Sequence, residues 1–217
     1  MGTQIYKTAD GKRVPSVTTV LANIGWSKDG LIRWANKQGI EGVTLEHARE
    51  STAGVGTKVH ALIEQTLRGE TPETPDVFER HADYWRAYHG WLAWAETTQI
   101  DPIAIETPLI SEKMRIGGTP DLIAKDGDAI VLFDWKTYGS KNPDDEKAPW
   151  SEYWIQGVAY AVMWNEAHEP KIDTVSIVMI DKVEGVATEH REALNSPRCE
   201  AALEAFLHAR RLHDLNK

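Results

Sequence analysis

Apolar residues recur at helical spacing through much of the first half of this chain, and the period then changes to the alternating or continuous runs of strands. Gln4 to Val14 reads as a hairpin around Ala9-Asp10-Gly11-Lys12, after which Pro15 and Ser16 open a short helix through Thr18 and Leu21. A second helix is predicted over Gly30 to Gln38. Gly56 to Leu67 places Val59, Leu62, Ile63 and Leu67 on one amphipathic face, and Gly69 closes it. Asp76 to Thr97 is predicted as one long helix with Tyr84, Trp85, Tyr88, Trp91, Leu92 and Ala95 on a broad stripe. Strands follow at Ile103 to Ile110, Thr119 to Ala124, Ala129 to Lys136 and Thr174 to Asp181. A helix over Ser151 to Glu166 separates the third from the fourth, and a last helix covers Pro197 to His213. The order is helices, three strands, helix, strand, helix, with no repeat or low-complexity linker, so one domain over residues 1–217 is expected, the first 50 residues packing on its core.

Composition narrows the class without naming a chemistry. In 217 residues, 41% hydrophobic and 26% charged, no apolar run approaches the ~20 residues of a membrane helix, so no membrane partner is expected. The segment Met1 to Arg13 lacks an apolar signal core, and the single Cys199 makes no internal disulfide, four-thiolate cluster or structural zinc site, which fits a cytoplasmic protein without an iron-sulfur cluster. A net charge of -9 argues against a general nucleic-acid coat, although carboxylates gathered at a metal site add to the same deficit.

One segment, Gly117-Gly118-Thr119-Pro120-Asp121 through Asp134-Trp135-Lys136-Thr137, interrupts strand-like runs with charge. Asp126-Gly127 is a turn signal, and an even loop pairs Ala124 with Ala129 and Asp121 with Leu132. That register puts Asp121, Asp134 and Lys136 on one sheet face, with the two acids diagonal neighbours at about 7 Å. A bulge in the turn would send Asp121 to the other face. Two such carboxylates repel unless a cation lies between them, and Mg²⁺, which takes oxygen ligands and keeps waters and substrate phosphates, suits the place. Lys136 adds a charge for a phosphate oxygen or for orienting water, as phosphodiester hydrolysis requires. The plainer alternative makes Asp134 and Lys136 solvent-facing strand-end residues and Asp121 the start of a turn.

Pro120-Asp121 followed by Asp134-Trp135-Lys136 resembles the signature of the PD-(D/E)XK nuclease superfamily, in its RecB-like, phage-type exonuclease branch. Three further pieces of that pattern stand in order: His60 in Gly56-Thr57-Lys58-Val59-His60, Gly117-Gly118-Thr119, and Gln156 with Tyr160. Val14 to Thr19 and the Trp34-Ala35 helix are similar to the start of small single-domain members. The resemblance implies a restriction-endonuclease-like α/β core, a central mixed sheet flanked by helices, that cleaves DNA. It implies metal ligation by His60, Asp121, Asp134 and the Trp135 carbonyl, with Asp121, Asp134 and Lys136 catalytic and Gln156 and Tyr160 lining the site. Mg²⁺ is the expected cofactor, with Mn²⁺ able to substitute. DNA is the expected partner, in repair, recombination or phage metabolism of a bacterial or phage-infected cell, with a homo-oligomer or a replication or recombination protein as further candidates.

Each residue also has a quieter reading. His60 at the edge of an apolar stripe fits a packed or capping imidazole as well as a ligand. Glu64, one turn on, either reaches the metal or imidazole or is a solvated glutamate. Glu106, in an apolar strand before Pro108, either approaches the site or faces solvent on an edge strand. Trp85, Trp91, Trp94, Trp154 and Trp164 have core spacing, whereas Trp26, Trp34 and Trp150 stand near loops, helix ends or basic residues and could stack on unpaired bases. Lys141 to Lys147 is a candidate flap, and Lys28, Arg33 and Lys37 either track a phosphate backbone or form a solvated face. Two other classes stay open: a nucleic-acid-binding module that never cuts, and a metallohydrolase using His60 and Glu64 as half a zinc site, for which no second histidine stands at matching spacing.

Overall fold

The structure, a computed structural model, describes residues 4–24, 28–42, 44–76, 79, 82–139 and 147–215. Trp26 and residues 141–146 of the expected flap lie outside them, as do the side chains of Lys28 and Trp34. A two-stranded hairpin, β1 (Tyr6–Lys7) and β2 (Arg13–Val14), leads into helices α1 (Val17–Ala22), α2 (Lys28–Ile40), α3 (Leu45–Leu67) and α4 (Asp83–Ala95). The strands β3 (Ile100–Ile105), β4 (Leu109–Ser111), β5 (Ile116–Gly118), β6 (Leu122–Asp126) and β7 (Ala129–Tyr138) follow. Helix α5 (Ser151–Ala167), strands β8 (Thr174–Asp181) and β9 (Val186–Ala193) and helix α6 (Pro197–Leu215) complete the chain.

The central sheet has the order β3-β6-β7-β8-β9, with β7 and β8 parallel through the α5 crossover and the other pairs antiparallel. Apolar side chains are buried on both its faces, which is why β7 carries an almost unbroken apolar run. On one face Leu132 shares a core with Val17 and Val20 of α1, Val158 and Met163 of α5 and Phe206 of α6. On the other face Val131, Phe133 and Trp135 share a core with Val59 and Ile63 of α3 and Tyr88 and Trp91 of α4. Trp91, Trp94, Phe133 and Trp135 pack ring against ring at 5.6 to 6.5 Å, so these tryptophans belong to the core. No helix among the described residues is long and apolar enough to cross a membrane.

Five expected elements are corrected. The strand expected over 103–110 breaks at Glu106, where φ is positive, into β3 and β4, which lie in different sheets. The β6–β7 register pairs Ala124 with Val131 and Leu122 with Phe133, two residues from the expected Ala124–Ala129 pairing. The loop is Gly127-Asp128, with positive φ (61°) at Gly127 alone of the pair, as a type II′ turn requires. A slip of two keeps every side chain on its predicted face. The strand expected over 119–124 is interrupted at Thr119-Pro120-Asp121, because Pro120 has no N–H for a ladder. The helix expected over 76–97 begins only at Asp83, whereas the one expected from Gly56 begins at Leu45. Strand β9 was not anticipated: Glu189, His190, Arg191 and Glu192 hide the period, yet a charged edge strand is what blocks edge-to-edge association.

The paired glycines before Asp121 have a steric cause. A Cβ on Gly117 would lie 2.1 Å from Cγ of Tyr6, and one on Gly118 would lie 2.3 Å from Cε1 of Tyr160. The two tyrosines therefore clamp β5, and Tyr6 also reaches Thr119 by a 2.9 Å hydroxyl contact. Gly118→Ala is expected to cost about 1–3 kcal/mol of stability by overpacking. Gly39→Ala, in helix α2 with nothing within 4 Å of the new methyl, is expected to be neutral or to gain roughly 0.4–1 kcal/mol. Urea denaturation of both variants checks the contrast.

Candidate active site

Pro120 ends one ladder, and the carboxylate of Asp121 takes the place of a strand carbonyl on β7: its Oδ2 accepts from the Trp135 N–H at 2.7 Å. The other oxygen, Oδ1, faces Nδ1 of His60 at 3.4 Å. His60 comes from α3 and is 30% exposed along its side chain. Its Nε2 lies 3.1 Å from the Trp135 carbonyl oxygen, so a proton on Nε2 is donated there. His60 thus lies between two of the other groups assigned by resemblance to metal ligation, the Asp121 carboxylate and the Trp135 carbonyl.

Asp134 and Lys136 project together from β7, with Nζ 2.5 Å from Oδ2 and side-chain exposures of 18% for the lysine and 2% for the aspartate. The contact is an ion pair without hydrogen-bond alignment, leaving Oδ2 buried with no aligned donor. A buried carboxylate oxygen in that position has unspent ligand capacity.

A further acid joins them. Glu106 contributes with His60 and Asp121 to a group whose candidate ligand atoms all lie within 4.8 Å of one another. Asp134 is not within that group, its Oδ2 being turned to Lys136. Glu106 also sits at a backbone φ of 44°, a left-handed conformation unusual for a side chain of its size, and its N–H donates to the Asp121 carbonyl at 3.0 Å. Its apolar strand and following Pro108 left two placements open, and the twist that turns it to the site has no sequence signal.

The electrostatics follow from crowding acids in a partly dry site. Burial raises the Glu106 carboxyl to about 7, helped by the Asp121 charge. Burial raises Asp134 to about 6 against the opposing Lys136 ammonium. Burial would lower His60, but the Asp121 carboxylate outweighs it and lifts the imidazole to about 9. Burial works against the Lys136 charge as well, and the Asp134 and Asp121 carboxylates hold the ammonium above the usual lysine range. For Asp121 the nearby His60 and Lys136 charges overcome burial and the carboxyl is lowered.

A metal-free consequence can be checked directly. With a folded value of about 7 against an ordinary 4.5, native Glu106 holds its proton longer than the unfolded chain does. Stability in chelator therefore falls as pH rises from 4.5 through 7. Glu106→Gln lacks that loss, so its thermal midpoint in chelator is expected to match wild type near pH 4.5 and to exceed it at pH 8.

The remaining predicted residues divide. Gln156 Nε2 donates to the Tyr160 hydroxyl at 3.2 Å, one turn apart on α5, and burial drives the Tyr160 phenol well above its usual range. Tyr160 stands against Gly118 and so braces the strand that leads to Asp121. Glu64 is engaged by Arg68, which donates to its Oε1 from Nη2 at 2.9 Å and Nε at 3.1 Å, an ion pair along the helix surface. Lys37 likewise pairs with Glu41 at 3.8 Å on exposed helix, as a solvated face would.

Hard-cation chemistry fits this donor set of carboxylates, one imidazole and a backbone carbonyl. The sequence profile of the PD-(D/E)XK nuclease superfamily matches residues 76–214. No curated protein matches the chain significantly. Among solved structures, a candidate exonuclease from Eubacterium rectale aligns over 72% of this chain and 68% of its own at 13% identity, with a TM-score of 0.43. An alkaline exonuclease from Laribacter hongkongensis aligns over 73% and 78% at 16% identity, with a TM-score of 0.38.

Proposed function

The chain belongs to the PD-(D/E)XK nuclease superfamily, and from that premise we propose that it is a Mg²⁺-dependent DNA exonuclease of the RecB-like branch. The mixed five-stranded sheet between two helical layers is the restriction-endonuclease-like core of that superfamily, and nucleases of this class use divalent metals. The observation that carries the reading is the convergence of His60, Glu106 and Asp121 within 4.8 Å beside a buried Asp134–Lys136 pair. His60, Asp121, Asp134 and the Trp135 carbonyl would hold the ion, with Glu106 close enough to join them. When bound, a divalent cation polarises phosphoryl oxygens and makes water a stronger nucleophile.

The side chains do the rest. Asp121 holds β7 at the Trp135 N–H, and the same carboxylate sets the facing imidazole of His60. Lys136 presents an ammonium at the edge of the acids, where it holds a nonbridging phosphate oxygen and stabilises charge as the phosphorus is attacked. The leaving oxygen departs with a proton taken from solvent. Repair, recombination or phage DNA metabolism in the cytoplasm of a bacterial or phage-infected cell is the setting this activity would serve.

The test uses end-labelled linear DNA and circular DNA, each single- and double-stranded, with Mg²⁺ or chelator. Trimming of linear DNA only with Mg²⁺, with circles intact, is the expected result. Nicking of circles would make the protein an endonuclease, and binding without cleavage under any metal would leave a non-cutting nucleic-acid module.

A further inference from the structure

We propose that Trp150 and Tyr153 form a shelf on which an unpaired nucleobase stacks while its neighbouring phosphodiester lies at Lys136, so that the preferred substrate is a single-stranded end. The inference rests on the nuclease reading above and adds the substrate class. Trp150 is 57% exposed at the N-cap of α5, where its backbone is extended (φ -68°, ψ 151°). Its ring lies 5.8 Å from that of Tyr153 with 9° between their planes. The same Tyr153 ring stands beside Lys136, whose Nζ is 5.2 Å from the Tyr153 centroid. The two steps place the Trp150 ring within about 11 Å of the ammonium.

This order matches the parts of a nucleotide. An ammonium takes the phosphate oxygen, and a broad aromatic plane takes the base, whose π-face is the one feature every base shares. A lone exposed tryptophan needs no explanation, but one held parallel to a second ring that contacts the catalytic charge is a continuous surface. A second cation stands near: Lys147 Nζ lies 5.6 Å from the ring of Tyr138, two residues beyond Lys136 on β7. Bases inside a duplex are already stacked and paired, so only an unpaired strand offers a free face without the cost of opening it.

The test separates the shelf from the nuclease assignment by reading binding without cleavage. Fluorescein-labelled single-stranded oligonucleotides, with Ca²⁺ in place of Mg²⁺, are titrated with wild type, Trp150→Ala and Trp150→Phe. The set includes oligonucleotides carrying one abasic site at each of the first three positions, and a blunt duplex. Trp150→Ala is expected to weaken single-strand binding roughly 5- to 150-fold, the range of one base–aromatic stack, with Trp150→Phe in between. At one abasic position the wild type loses the same factor and Trp150→Ala loses nothing more, which identifies the base that meets the ring. Duplex binding changes little. Equal affinities for all three proteins, additive losses from ring and base removal at every position, or no wild-type binding would overturn the shelf. Mg²⁺-dependent trimming by the wild type alongside such a result would leave the nuclease assignment standing.

Discussion

Lys136→Ala is expected to lower the rate of DNA cleavage by about 10²- to 10³-fold while leaving DNA affinity within a few fold, as loss of one preorganised charge at a reacting phosphate does. The lysine is 2.5 Å from an aspartate that is almost wholly buried, so the substitution also strands a carboxylate. Breaking a buried pair on one side costs about 3–5 kcal/mol, a cost reduced here because the lysine keeps some exposure and Asp134 can take up a proton. Single-turnover rates with excess enzyme isolate the chemical step, and urea denaturation in the same buffer shows how much fold was lost. Lys136→Arg keeps the charge but spreads it over a planar fork, and it is expected to recover stability before rate. A Lys136→Ala rate within threefold of wild type would remove the lysine from the mechanism.

Asp121→Asn is expected to abolish the stabilisation that Mg²⁺ confers and to reduce cleavage to the level seen in chelator. The amide oxygen can still accept from the Trp135 N–H, so the local backbone keeps its partner while the charge is lost. A ligand present at 100 times its Kd stabilises the native state by about 2.7 kcal/mol, enough to read as a shift in thermal midpoint. Wild type is expected to show that shift with Mg²⁺ or Mn²⁺ and the variant to show none. An undiminished shift in Asp121→Asn would mean the ion sits elsewhere.

The elements with strong apolar periods are legible in the sequence, because burial writes itself into spacing. Helix α5 and strands β7 and β8 stand within a residue or two of their predicted limits. Parity of the β6–β7 hairpin was legible for a similar reason: Asp126-Gly127 marks the turn, and faces alternate with a period of two. The paired register itself was not, since loops of two and of four residues leave the same apolar pattern. Strand β9 was hidden because its half-buried face is satisfied by charge: Ser176 donates to Glu189 at 2.6 Å, and Arg191 pairs with both Glu189 and Asp126.

Asp121, Asp134 and Lys136 could be grouped from residue type and spacing, whereas His60, Gln156 and Tyr160 were named through the superfamily resemblance. Their division of labour needed the tertiary structure. Only the packing of α3 against the sheet brings the imidazole to Asp121, turns Glu64 to Arg68 instead, and lets the left-handed twist at Glu106 deliver a further carboxylate. The unbroken apolar runs of β7 and β8 determined that those strands would be covered on both faces, and the mixed sheet itself came from the resemblance. Which acids share one point was decided by three segments distant in sequence, and a spacing pattern records neighbours along the chain while a metal or phosphate site is made from neighbours in space.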